Sequence, residues 1–137
     1  MPKRSKASWI KWTICLFVAY CCSSCCFDLV HVKQAPAQVD TDTSPKSSWI
    51  LNEKVDVQLD TWYKTNLKKD TKWDFVGCLN EGDVYKTSDQ IVTVEGSNTF
   101  EAYIVMRGEN LVGFYLPVEK TFSPLGRPIP LKIKKID

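Results

Sequence analysis

Between Phe100 and Val118 the chain follows a two-residue period. Phe100, Ala102, Ile104 and Met106 fall on one side of an extended backbone, and Glu101, Tyr103 and Val105 on the other, because successive strand side chains point to opposite faces. Arg107-Gly108-Glu109-Asn110 then reads as a turn. Leu111 to Val118 is apolar on both sides, with Leu111, Gly113 and Tyr115 against Val112, Phe114 and Leu116. A strand that is apolar on both faces is covered on both faces. A single sheet with one wet side is therefore not expected. Gly113 inside that strand predicts a bulge, a bend or the close approach of another backbone, and Pro117 predicts the end of pairing or an edge.

Further short strands are expected over 73–79, 84–86, 90–94 and 129–133. Asn80-Glu81-Gly82-Asp83 and Glu95-Gly96-Ser97-Asn98 supply the turns, since glycine flanked by acidic and amide residues is turn chemistry. Ser123 to Pro130, with three prolines, reads as an extended surface crossing. Leu51 to Leu67 carries two periods at once. Leu51, Val55, Leu59, Trp62 and Tyr63 share a helical face, whereas Val55, Val57, Leu59 and Thr61 alternate as a strand. No Gly or Pro occurs from Lys46 to Val76, which tips this segment towards a helix. The expected fold is mainly β: a small antiparallel meander closing into a sandwich or barrel with one N-terminal helix, α+β being the alternative.

Lys33 to Ser48 has a different texture. It holds two prolines, many small polar residues and one large apolar residue, Val39. Such a segment buries too little surface to offset its ordering entropy, so it reads as a flexible tether. The globular domain then runs over 49–137, small enough that its core is modest. Cys78, between Val76 and Leu79, reads as a buried free thiol. A bridge from Cys26 to Cys78 would have to fold the tether back over the domain.

The N-terminus carries an export pattern. Lys3, Arg4, Lys6 and Lys11 precede an apolar run from Trp12 to Cys22, and Ser23-Ser24-Cys25-Cys26 follows. A basic start, a short apolar core and small residues describe a signal peptide, and the basic flank stays on the cytoplasmic side. Cys22-Ser23-Ser24-Cys25 resembles the lipobox of bacterial lipoproteins, although Cys22 stands where Leu or Val is usual. That resemblance implies a signal peptide over 1–24, lipidation (palmitate included) of Cys25 as the new N-terminus, and a lipidated tether over 25–48. With Cys26 rather than Asp after Cys25, it also implies an outer-membrane location facing the periplasm. The alternatives are an uncleaved inner-membrane anchor over 9–29 and release by cleavage after Ala35-Pro36-Ala37. In a third alternative, Cys21, Cys22, Cys25 and Cys26 form a palmitoylation cluster beside a membrane helix. A metal site is not expected, because no His or Cys pair follows to complete four ligands.

Charge and chemistry narrow the functional classes. The chain has net charge +2, but four of its eighteen basic side chains precede Cys25 and none of its sixteen acidic ones do. The remainder carries fourteen against sixteen, so the concentrated positive surface that nucleic-acid binding needs is missing. The domain contains no histidine, His31 being the only one in the chain. Ser-His-Asp, Cys-His and His-ligated metal chemistry are thereby removed. No phosphate-cradling or calcium loop is present, so no cofactor is expected. Carboxylate pairs such as Glu81 with Asp83, or Glu101 with Glu119, lack any predicted cleft. The expectation is a non-catalytic envelope lipoprotein. It would bind another envelope protein, as an accessory of a transport, secretion, conjugation or surface-exclusion system. Glu81, Asp83, Pro117 and Glu119 are the candidate contacts, with exposed strand edges open to strand addition. The alternative is a polysaccharide or small-ligand domain stacking sugars on Trp49, Trp62, Trp73 and Tyr85.

Overall fold

The computed structural model describes residues 30–136, so Cys25 and the leader lie outside the described residues. Twelve strands follow one another: β1 Ala35–Pro36, β2 Ser48–Leu51, β3 Val55–Gln58, β4 Lys64–Leu67, β5 Lys72–Cys78, β6 Asp83–Lys86, β7 Thr93–Glu95, β8 Thr99–Glu101, β9 Tyr103–Arg107, β10 Asn110–Leu116, β11 Thr121–Pro130 and β12 Ile133–Ile136. Eight of them form one antiparallel sheet in the order β1-β11-β10-β9-β6-β5-β2-β12. β3 pairs with β4 and β7 with β8 as separate hairpins. The edges β1 and β12 do not meet, so the architecture is sandwich-like and mainly β rather than a closed barrel.

The front face of the large sheet carries the main core. Trp49, Trp73, Tyr85, Ile104, Met106, Leu111, Phe114 and Leu116 from the sheet pack against Val57, Leu59, Leu67, Val92 and Val94 from the two hairpins. Trp49 and Trp73 stack at 5.6 Å between ring centroids, and Tyr85 meets Trp49 edge-on at 5.5 Å. Burial pushes the Tyr85 phenol above its ordinary value. The back face holds a second cluster, Val84, Val105, Tyr115 and Phe122, flanked by Tyr103 and Val112. The double-sided covering expected of β10 is thus present.

Residue phasing explains what alternation alone misplaces. β9 follows it: Ile104 and Met106 face the front, Tyr103 and Val105 the back. β10 does not, because its register shifts between Leu111 and Gly113. The bulge puts Leu111 on the same face as Phe114 and Leu116 and sends Tyr115 to the back. Gly113 has no side chain because an ideal Cβ there would stand 2.5 Å from the Ser123 carbonyl oxygen and 2.6 Å from the Phe122 ring.

The expected helix over 51–67 is overturned. The segment contains the end of β2, then β3 and β4. Val55 and Val57 are β-branched, and in β4 Thr65 and Leu67 are buried while Lys64 and Asn66 are exposed. The two-residue period wins because it buries Val57, Leu59 and Leu67, whereas the helical face would have buried Trp62 and Tyr63, both exposed. Ser123 to Pro130 is a second departure, since it forms most of β11. β1 covers β11 only at Thr121 and Phe122. Pro124, Pro128 and Pro130 lie beyond that pairing, as prolines in an edge strand do.

Ser48 and Asp74 form one tie in this frame. Ser48 Oγ donates to Asp74 Oδ1 at 2.6 Å. That bond, helped by Lys72, holds the Asp74 carboxyl below its ordinary value of 3.8. A lowered folded value stabilises the fold fully above the ordinary value, and the contribution is lost as pH falls through the folded one. Asp74 is half-exposed, so solvent screening keeps the effect small. Ser48→Ala is expected to lower stability by under about 1 kcal/mol at neutral pH and by less at pH 3. Urea titrations at the two pH values would show it.

Candidate functional site

The segment read as a tether is built into the fold from Val30 onward. Ala35 and Pro36 pair with Phe122 and Thr121 at the edge of β11. The Ala37 amide donates to the Lys120 carbonyl at 3.0 Å. The chain then crosses the back face, where Ala37 and Val39 pack on the second cluster. Asp40 and Cys78 exchange both backbone hydrogen bonds, at 2.8 and 2.9 Å. Gly77 makes room for this crossing, because a Cβ there would run into the Asp40 carbonyl and stand 2.5 Å from Val39 Cγ1. The sequence reading missed this because only two small side chains, Ala37 and Val39, do the covering. Most of the hold comes from backbone hydrogen bonds, which composition does not report. Cleavage after Ala37 would remove β1 and the start of the strap.

The predicted contact residues lie at opposite ends of this strap. Turn 79–82, before Asp83, sits at the Met106 end of β9, whereas turn 117–120 lies beyond Tyr115 at the Tyr103 end. At the first end, the Glu81 carbonyl accepts from Arg107 Nε at 3.1 Å and Nη2 at 2.9 Å. Asp83 accepts from Lys46 Nζ at 2.5 Å and from Cys78 Sγ at 3.3 Å. The Asp83 carboxylate raises Lys46 above its ordinary value. Cys78 is half-buried and free. A concavity of about 320 Å³, lined by Pro36 to Gln38, Asp40 and Cys78 to Glu81, separates strap and turn. At the other end, Val118 is 78% exposed and Glu119 is exposed, with Pro117 half-buried beside them. There a concavity of about 610 Å³ lies between the strap, Tyr115 and Lys120. Asp83 is thus tied into the fold, whereas Glu119 is exposed. Among the described residues no group of three His, Cys, Asp or Glu is placed to hold a metal ion.

The four aromatic candidates separate sharply. Trp49, Trp73 and Tyr85 are core residues, and Trp62 is 86% exposed. A sugar-stacking face built from all four is therefore absent. Trp62 lies in the β3–β4 turn, where its amide donates to the Leu59 carbonyl at 3.1 Å and the Leu59 amide to the Tyr63 carbonyl at 2.9 Å. Its φ is 68°, in the left-handed region that bulky residues rarely adopt. Left-handed backbone costs a side-chain-bearing residue about 1–2 kcal/mol, against roughly 0.5–1 for the extra freedom glycine has when unfolded. Trp62→Gly is accordingly expected to leave stability unchanged or raise it by up to about 1 kcal/mol in a denaturant titration. The sequence hint was Asp60-Thr61-Trp62-Tyr63 between two alternating runs.

Comparison with known proteins finds no matching family model, no similar curated protein and no similar solved structure. What the chain itself defines is a sandwich-like β module whose N-terminal strap is one of its layers.

Proposed function

We propose that the chain is an exported envelope lipoprotein, anchored through Cys25, whose β module binds another envelope protein without catalysing a reaction. The observation that carries this reading is the docked strap. The Val30 carbonyl, five residues after Cys25, accepts from the Ser97 amide of the domain. An anchor at Cys25 would therefore hold the module against the membrane, since five residues span at most about 18 Å. A domain held in this way presents its exposed surfaces to neighbours in the same compartment. The exposed turn at Val118 and Glu119 and the edge strand β12 are the contacts offered.

Intact-mass spectrometry of the protein extracted from host membranes tests the anchor. A chain starting at Cys25 and heavier by lipid supports the reading. A full-length chain indicates a spanning anchor, and an unmodified chain starting near Gln38 a released protein. Either would overturn the lipid assignment. For partner binding, Glu119→Ala should leave folding intact and weaken capture of the partner by the membrane-extracted protein. Unchanged capture would remove that turn from the contact.

A further inference from the structure

Three loops meet where the described chain begins. Thr61 Oγ1 donates to the Glu95 carbonyl, joining the β3–β4 turn to the β7–β8 turn. The Ser97 amide donates to the Val30 carbonyl at 2.8 Å, joining the β7–β8 turn to the segment that leads into β1. Lys33 Nζ lies 3.3 Å from Asp60 Oδ2, closing the ring back to the β3–β4 turn. This corner also collects exposed apolar side chains. Of the five large hydrophobic residues exposed among the described residues, Val30, Trp62 and Tyr63 belong to it. Trp62, at the left-handed position of its turn, has the most exposed of these side chains. Exposed Lys64 adjoins it.

We propose that this corner is a membrane-docking surface, with Trp62 and Tyr63 seated in the headgroup region of the bilayer that carries the N-terminal anchor. The inference rests on the anchorage proposed above and adds to it an orientation. Chain length selects lipid as the occupant: the residues between Cys25 and Val30 reach at most about 18 Å, and Val30 is pinned to the loop next to Thr61. An uncleaved anchor ending by Leu29 would bring the corner closer still. Trp and Tyr suit this place because their rings are apolar and their polar tips stay wet, which concentrates them at membrane–water interfaces. Lys64 can extend its ammonium to lipid phosphates while its stem lies along apolar surface.

The test uses the full chain purified from membranes and reconstituted into phosphatidylethanolamine–phosphatidylglycerol vesicles, with and without brominated acyl chains, beside its Trp62→Asn variant. Asparagine tolerates the left-handed backbone, so the variant keeps the fold. The expected result is that both proteins float with the vesicles, and that brominated lipid quenches the emission component which Trp62→Asn removes. Flotation with that component unquenched would overturn the orientation and leave the anchor standing. A chain that does not float would overturn the anchor and the orientation together. Quenching lost on adding envelope protein extract, with flotation retained, would also contradict the proposal by making the corner a protein contact.

Discussion

Trp73→Ala is expected to destabilise the module by about 3–5 kcal/mol, the usual consequence of removing a large buried aromatic. Trp73 is wholly buried and stacks on Trp49, which Tyr85 meets edge-on. It also stands where β5 passes from its pairing with β6 to its pairing with β2, opposite Trp49. Truncation therefore opens a cavity inside the large sheet, where β6 and β2 flank β5 and limit collapse. Domains of this size have roughly 5–15 kcal/mol in total, so the variant should be largely unfolded at moderate urea. A stacking residue of a sugar site would behave otherwise, leaving the denaturation midpoint unmoved. Circular dichroism through a urea titration separates the two outcomes.

The second large effect is expected at Gly77→Val. Gly77 is absent from the positive-φ residues, so valine is not strained by backbone conformation and the substitution reads sterics alone. Its side chain would occupy the space of Val39 and the Asp40 carbonyl. The strap must lift, breaking the paired Asp40–Cys78 hydrogen bonds and uncovering Tyr115 and Phe122. Overpacking of this kind costs about 1–3 kcal/mol, with the loss concentrated in one segment. Limited proteolysis should then cut between 30 and 45 in the variant while the rest of the module survives. Cleavage equal to that of the unsubstituted protein would mean that the strap bears no weight.

These two sites also mark what the sequence makes legible. The front core announces itself through alternation in Val55 to Leu59 and Phe100 to Met106, and turns through Gly82, Gly96 and Gly108. Gly113 correctly signals the β10 bulge, yet alternation cannot foresee that the bulge moves Leu111 to the other face. Leu51 to Leu67 misleads because β-branched alternation and a helical stripe coincide over so few residues. Which period wins is settled by partners far away in the chain, among them Ile104 and Phe114. Prolines in β11 hide a strand because an edge tolerates them where a centre does not. The strap is the hardest to read, since it is polar in composition and held through main-chain groups. The candidate contacts fare similarly: Glu119 is exposed just past the end of pairing that Pro117 predicts, whereas Asp83 is engaged by Lys46, thirty-seven residues away, a partner no local pattern names.

Hydrogen exchange at the Ala37 and Asp40 amides of the full-length protein reads the docking of the strap at its own bonds, because a docked strap donates both to carbonyls of the domain. The expected exchange is much slower than in an unstructured peptide of the same sequence, with protection at both amides reduced by Gly77→Val. Exchange at the free-peptide rate would contradict it, returning residues 30–48 to the role of a loose tether and removing the basis for a fixed face towards the membrane.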